Sequence, residues 1–386
     1  MIFGDLRFLS MLGLCWLTFF ALPARRRSLV LAAWGVVFYA VYAGPYLPLV
    51  VGLVLATYLV CRGRAEILLA GLVALLFVRI KLGFDVTGIA LSSPAPGAGL
   101  IVPLGFSFLA FELLHVVIEH RRGRLANLTL IDLAAFAFFF PCRIAGPIKR
   151  YPAFMDAIRD ARPSLVRVYE GGLRIAIGFF KKFVLADSFA LIASEVSYAE
   201  TPLHAWKAML AYSLQIYLDF SAYSDMAIGA SRVVDIAVPE NFNWPYLSRN
   251  IQEFWTRWHI SLSSWARDYV FSPMGRELFK SPMRMSPTLI AALSYVTTFL
   301  VIGAWHGLTA GYLAWGLYHG LLVTGYYVYR ANVPAAVARH RLFESRLADV
   351  AGAGVTFLLV TIGWVPFVVD TPHALPLLRL LLGGDR

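Results

Sequence analysis

Apolar residues occupy this chain in long blocks, separated by short clusters of arginine, proline and glycine. Such blocks at 8–22, 29–43, 47–60, 67–80, 100–118, 173–193, 205–234, 288–305, 308–329 and 350–369 each approach the roughly 20 residues that a membrane-spanning helix needs. The first is followed by Pro23, Ala24 and the basic run Arg25, Arg26 and Arg27. A secretory signal carries its positive charge before the apolar run, so the block is read as a first span with its N-terminus outside. Alternating sides from there places 25–27, 62–64 and 121–124 in the cytoplasm, as the positive-inside rule requires. A further apolar run at 130–144 breaks this parity. If it crossed, Arg143, Lys149, Arg150, Arg159, Arg162 and Arg167 would all fall outside. Pro141 and Pro147 interrupt helical continuation there, so the run is expected to be re-entrant and 143–167 to be cytoplasmic. Irregular backbone at membrane depth survives only when buried in protein or lining a cavity, which points to an interior site. Downstream, 195–204 falls outside, and the basic stretches 276–284 and 330–346 fall inside.

Composition agrees. Of 386 residues, 59% are hydrophobic and 15% charged, with a mean hydropathy of +0.68. That excess of apolar residues excludes an ordinary soluble enzyme and implies an all-α integral membrane protein, expected to be one membrane domain over 1–386. The net charge of +11 would suggest nucleic acid in a soluble protein. Here it reflects cytoplasmic loops, and no nucleic-acid partner is expected. Cys15, Cys61 and Cys142 have no CxxC or Cys/His spacing, so neither a disulfide framework nor a zinc site is implied.

One stretch, 248–275, is too polar to cross lipid. Phe254, Trp258, Leu262, Trp265 and Tyr269 recur every three or four residues, with Arg249, Gln252, Glu253, Arg257, Ser261, Ser264 and Asp268 toward the other side. A continuous helix over 251–268 is expected, with Glu253 and Arg257 paired at i, i+4. It lies along the membrane surface, with Trp258 and Trp265 as interface anchors and His259 at headgroup level, or it lines a polar cavity. A second constellation is Gly303, Ala304, Trp305, His306, Gly307, with His319 in the next apolar run. An ionisable group between two such runs needs a cavity or a partner, which makes His306 a functional candidate. Asp219 and Asp225 lie about 240° apart around one helix, so they form no carboxylate dyad. Each is read as a bond between helices or a prop for the re-entrant element. Glu112, His115, Glu119 and His120 lack the HExxH order, and no metal is expected.

Taken in order, AGPIKRY at 145–151, YSLQIYLDFSAYSDMAIG from 212, PENFNWPYLSRNIQEFWTRWHISLSSWARDYVFSPMG to 275, GAWHG at 303–307 and GLYHG at 316–320 resemble the membrane-bound O-acyltransferase family in its bacterial polysaccharide-acylating branch. The resemblance covers roughly 103–320. It implies a ring of about ten to twelve transmembrane helices, with re-entrant and interfacial helices, around a central acyl-transfer tunnel. On that reading 1–99 holds N-terminal spans, 100–330 the catalytic core, and 331–386 a basic cytoplasmic loop and the last span. By the same resemblance His306 matches the essential histidine and His259 the second signature histidine. Trp258, Trp305, Asp219, Asn241, Arg257, Asp268 and His319 fall within the matching motifs as binding or supporting residues. The implied chemistry is acyl transfer to a hydroxyl, with a base to take the proton and donors to hold the oxyanion. The donor would be a cytoplasmic thioester, acyl-coenzyme A or an acyl carrier protein, used as a cosubstrate with no tightly bound cofactor. The acceptor would be an envelope or secreted glycan. The expected partners are the bilayer and an acyl carrier protein or a periplasmic or extracellular acyltransferase, with the chain in the inner, cytoplasmic membrane. The family's Thr-Phe-Gln-like stretch is replaced here by Phe108, Leu109, Ala110, Phe111 and Glu112, which leaves donor and acceptor open, with D-alanyl an alternative to acetyl.

A transporter or channel would show Gly/Pro-interrupted spans at matching places in two halves, and no such symmetry is evident. An intramembrane protease would need more than Ser107 after Gly105 and Phe106, because the glycine that completes a GxSxG elbow is missing.

Overall fold

A computed structural model describes residues 2–63, 105–125, 127–144, 146–333 and 345–384. The expected span at 67–80, the start of that at 100–118 and much of the basic stretch 330–346 lie outside the described residues. Helices account for the regular structure, and among the described residues no extended strand occurs beyond a single antiparallel bridge, Phe242 to Trp258. Among the described residues, three segments are long and apolar enough to cross a membrane, Ala24–Arg62, Pro287–His306 and Arg346–Gly363. The described residues divide into two compact units, Met1–Phe179 with Ala222–Pro239, and Phe180–Ser221 with Glu240–Arg386.

The first unit opens with α1 (Leu6–Ala21), α2 (Arg27–Ala43) and α3 (Leu47–Arg62). It continues with α4 (Phe106–Arg121), α5 (Leu130–Phe138), α6 (Tyr151–Asp160) and α7 (Leu165–Phe179). Helix α5 has nine residues, a rise of roughly 14 Å against a hydrocarbon core of about 30 Å, so it is too short to cross by itself. It stops at Phe138, before the tight turn Phe140–Cys142 that contains Pro141. Phe140 is fixed in an aromatic cluster with Phe8 and Phe38, at ring separations of 5.6 and 5.7 Å. Gly105 starts α4 at a φ of 66°, and a Cβ there would collide with the Arg143 carbonyl oxygen. Backbone contact of that kind needs glycine. Arg27, at the start of α2, donates to the carbonyls of Ile158 and Arg159 at 3.0 and 3.3 Å, satisfying the open end of α6. The arginine run after α1 and the end of α6 therefore lie at the same end of this unit, as the re-entrant reading requires.

Arg143 and Lys149 depart from expectation. Neither is a solvated cytoplasmic charge: both are buried, and both pair with the buried carboxylate of Glu112. Two cations out of water need an anion, and one carboxylate with two oxygens serves both.

The second unit holds a π-helical stretch, Phe180–Ala186, continuing into α8 (Asp187–Ala193). The long α9 (Pro202–Val233) gives its first part to this unit. Next come α10 (Ile251–Arg257), α11 (Ile260–Ala266) and α12 (Ser272–Lys280). The hairpin α13 (Pro287–His306) and α14 (Ala310–Asn332) follows, then α15 (Arg346–Gly363), α16 (Val365–Val368) and α17 (Thr371–Leu381). The hairpin closes on small residues: a Cβ on Gly316 would lie 2.4 Å from the Phe299 carbonyl oxygen, and one on Gly303 equally close to that of Tyr312. Backbones that approach this closely bond by packing and not by water exclusion, as membrane helices must.

Candidate active site

The polar segment does not form one helix. Helix α10 stops at Arg257, Trp258 is extended, and His259 adopts a left-handed conformation with φ 44° and ψ 53° before α11 begins. Asn241 accounts for the break. Its carbonyl accepts the Ile260 N–H at 2.9 Å, and its side-chain oxygen accepts the Ser261 hydroxyl at 2.6 Å and the Ser261 N–H at 3.3 Å. Asn243 donates to the Arg257 carbonyl at 3.0 Å. These bonds replace the helical ones that residues 257–261 would otherwise make, and they hold His259 in a backbone region that is sparsely populated for residues other than glycine. Such strain persists only where its surroundings over-determine it, which is characteristic of functional positions.

The residues around His259 are aromatic. Its ring, 2% exposed, meets Phe220 edge-on at 4.8 Å and Trp305 at 6.2 Å. Trp305 in turn lies 4.5 Å from the ring of His306, the last residue of α13. His306 is half-buried, against Phe367 at 4.9 Å, Trp315 at 5.2 Å and Tyr312 at 6.0 Å. Trp315 then packs on fully buried His319 at 4.9 Å, and Trp255 covers another side of that ring at 5.2 Å. His259, Trp305, His306 and His319 thus belong to one continuous aromatic cluster within the second unit.

The remaining candidates have partners of their own. Trp258 and Trp265 are buried by protein, at 4% and 6% exposure, which removes the alternative that they anchor at the membrane interface. Trp258 stacks on Phe254 and touches Trp364 at 5.0 Å. Arg257 makes the expected pair with Glu253, at 2.6 Å. Asp268 accepts from adjacent Arg267 at 2.9 Å, in a π-helical turn. Asp219 pairs with Lys182 at 2.8 Å, and Lys182 also reaches Asp187 at 3.0 Å. Asp225 belongs to the first unit, where Arg174 donates to it at 3.0 and 3.1 Å. The two aspartates therefore act as separate inter-helix bonds. Of the other acidic and histidine positions considered, His115 accepts the Tyr151 N–H at 2.8 Å, and Glu119 pairs with Arg122 and Arg124.

Sequence reasoning passed over Trp255, Trp315, Trp364 and Lys182. A lysine inside the apolar run 173–193 was a readable signal, because a charge at that depth demands a partner. The tryptophans carried no signal beyond their number.

The pattern of the family described as MBOAT, membrane-bound O-acyltransferase, matches residues 104–358. The chain is 33% identical to the "Probable alginate O-acetylase AlgI" of Pseudomonas syringae, over 97% of its own length and 73% of that protein's. It is 35% identical to the "Peptidoglycan O-acetyltransferase" of Helicobacter pylori, over 66% of this chain and 47% of the relative. Against the "Teichoic acid D-alanyltransferase" of Bacillus subtilis it is 35% identical over 60% of each. The chain belongs to the membrane-bound O-acyltransferase family, in the branch that includes polysaccharide O-acetylases and teichoic-acid D-alanyltransferases. It is accordingly an integral membrane protein of all-α fold and an O-acyltransferase.

Proposed function

We propose that the chain moves an acyl group, most simply acetyl, from a cytoplasmic thioester to a hydroxyl of an envelope or secreted glycan, with His306 as the base. The observation that carries this reading is the contact of Trp305 with both His259 and His306, which joins the two histidine motifs at one place. The proton on the acceptor hydroxyl passes to the imidazole of His306 as the hydroxyl oxygen bonds to the thioester carbonyl carbon. The carbon–sulfur bond then breaks and the thiolate leaves, needing little acid assistance. General-base catalysis of this kind contributes about 10² to 10⁴-fold. His259, held by Asn241 beside Trp305, orients the reacting groups. The surrounding aromatic rings exclude water, which would otherwise hydrolyse the thioester. The chain sits in the cytoplasmic membrane with its N-terminus outside, on the positive-inside argument. Its partners on this reading are the thioester donor, free or carrier-bound, the glycan, and an acyltransferase beyond the membrane.

The test is the O-acyl content of envelope and secreted glycans in cells with and without the gene, read by mass spectrometry. Loss of acetyl from one polymer names group and acceptor together, loss of D-alanine selects the alternative acyl group, and unchanged glycans contradict the reading.

A further inference from the structure

The first unit buries more cation than anion. Arg143, at the turn that follows α5, and Lys149, just before α6, are 0% and 1% exposed, and the carboxylate that meets both is that of Glu112 on α4, itself 1% exposed. That carboxylate is heavily used. Its Oε2 accepts from Arg143, while its Oε1 accepts from the Lys149 ammonium and, at 3.3 Å, from the Lys149 backbone N–H. Among the described residues no second carboxylate pairs with either cation. The other ionisable groups that face them, the Tyr39 phenol and the Cys142 thiol, carry no charge near neutral pH in their ordinary state. Two positive charges and one negative leave a surplus of one, in a place where water cannot screen it.

We propose that Arg143 holds one small monovalent anion, chloride, which completes the charge balance of the turn after α5. The seat follows from how each cation is already covered. The Lys149 ammonium lies over ring faces, with Phe136, Phe154 and Phe139 at 5.0, 5.7 and 5.8 Å, a favourable surrounding for a cation. Arg143 spends Nη2 on Glu112, and its Nε and Nη1 are buried with no acceptor among the described residues. A guanidinium does not shed its proton in a protein, and buried N–H groups without an acceptor are rare because each has given up its bond to water. The class of anion follows from charge and space. One negative charge brings the cluster to neutrality, whereas sulfate would overshoot it. A side chain with no exposed surface admits a single-atom ion in preference to an organic carboxylate. The inference does not depend on the acyl-transfer reading, since it concerns how the broken segment between α5 and α6 is held.

The experiment follows the thermal midpoint of the full-length protein in detergent, in sodium chloride and in sodium gluconate at equal ionic strength. Chloride is expected to raise the midpoint of the unaltered protein by about 2 to 4 °C, as a ligand bound only by the folded state does. Bromide, close to chloride in size, is expected to act in the same way. Lys149→Met leaves Arg143 and Glu112 as a balanced pair, so its midpoint should be the same in both salts, while Lys149→Arg keeps the surplus charge and should keep the difference. Equal midpoints for the unaltered protein in chloride and gluconate overturn the proposal. A chloride effect that persists at full size in Lys149→Met also overturns it, because the ion then lies elsewhere. A second measurement needs no variant to fold: crystals of the unaltered protein grown in bromide should show an anomalous peak beside the Arg143 guanidinium, and peaks confined to other places overturn the assignment.

Discussion

The indole of Trp305 meets the imidazole of His259 at 6.2 Å, with the ring planes 63° apart. That contact sets the break between α10 and α11 against the end of α13, where the next residue is His306. On the proposed acyl-transfer reading, the indole is a spacer between two groups that act together. Trp305→Phe, which keeps a ring, should retain most turnover. Trp305→Ala should lower kcat by on the order of 100-fold, the effect of a small misplacement of reacting groups, with expression and membrane insertion unchanged. Near-normal turnover of the alanine variant in detergent would remove the spacer role.

Asn241 acts through backbone. Asn241→Ala leaves the Ser261 hydroxyl and N–H buried without their acceptor, which should cost about 1 to 3 kcal/mol. It should also free His259 from its left-handed conformation. The expected result is a lowered thermal midpoint and a reduced kcat with little change in donor KM. Ser261→Ala deletes the other half of the same bond, so the double variant should be less than additive. Strict additivity would show that the two residues do not act as a unit.

The buried cluster in the first unit gives a stability prediction. Glu112→Gln leaves Arg143 and Lys149 buried with no carboxylate, and breaking a buried pair costs about 3 to 5 kcal/mol. Lys149→Met leaves a one-to-one pair of Arg143 with Glu112 and should be much milder. Comparing the fraction of each variant that stays monodisperse on heating in detergent checks the order, and a Glu112→Gln variant as stable as Lys149→Met would contradict it.

Topology can be tested at Arg159, which is 69% exposed at its side chain. A single cysteine there should label only after the membrane is permeabilised, because the end of α6 is tied to Arg27, which the proposed orientation puts in the cytoplasm. Labelling from outside intact cells would reverse the orientation proposed from 130 onward. Position 149 cannot serve, since Lys149 is 1% exposed.

Much of the helical frame was legible in hydrophobic blocks. The runs at 288–305 and 205–234 correspond closely to Pro287–His306 and Pro202–Val233, and Pro141 marked the break after α5. The candidate site was legible as residue types but not as geometry. Nothing local in Trp258, His259 and Ile260 announces a helix break, because neither glycine nor proline is present and the apolar spacing continues through it. The cause lies at Asn241, whose hydrogen bonds depend on the tertiary fold. Arg143 and Lys149 carried the sign of cytoplasmic charges, and only the position of Glu112 on α4 shows why they are buried. Charge counts bear on the side of the membrane only for solvated charges, and an interior carboxylate that neutralises a cation removes it from the count.

The central claim is that His306 takes the proton from the acceptor hydroxyl. It is tested most directly by comparing His306→Gln with His306→Ala in an assay of acyl transfer to glycan, with membrane insertion and donor binding measured alongside. Glutamine keeps a hydrogen-bonding group but cannot accept and pass on a proton. Both variants are predicted to lose nearly all transfer, a fall of about 10² to 10⁴-fold, while inserting and binding donor as the unaltered protein does. Substantial transfer by His306→Gln would contradict the base assignment and leave His306 as a positioning residue.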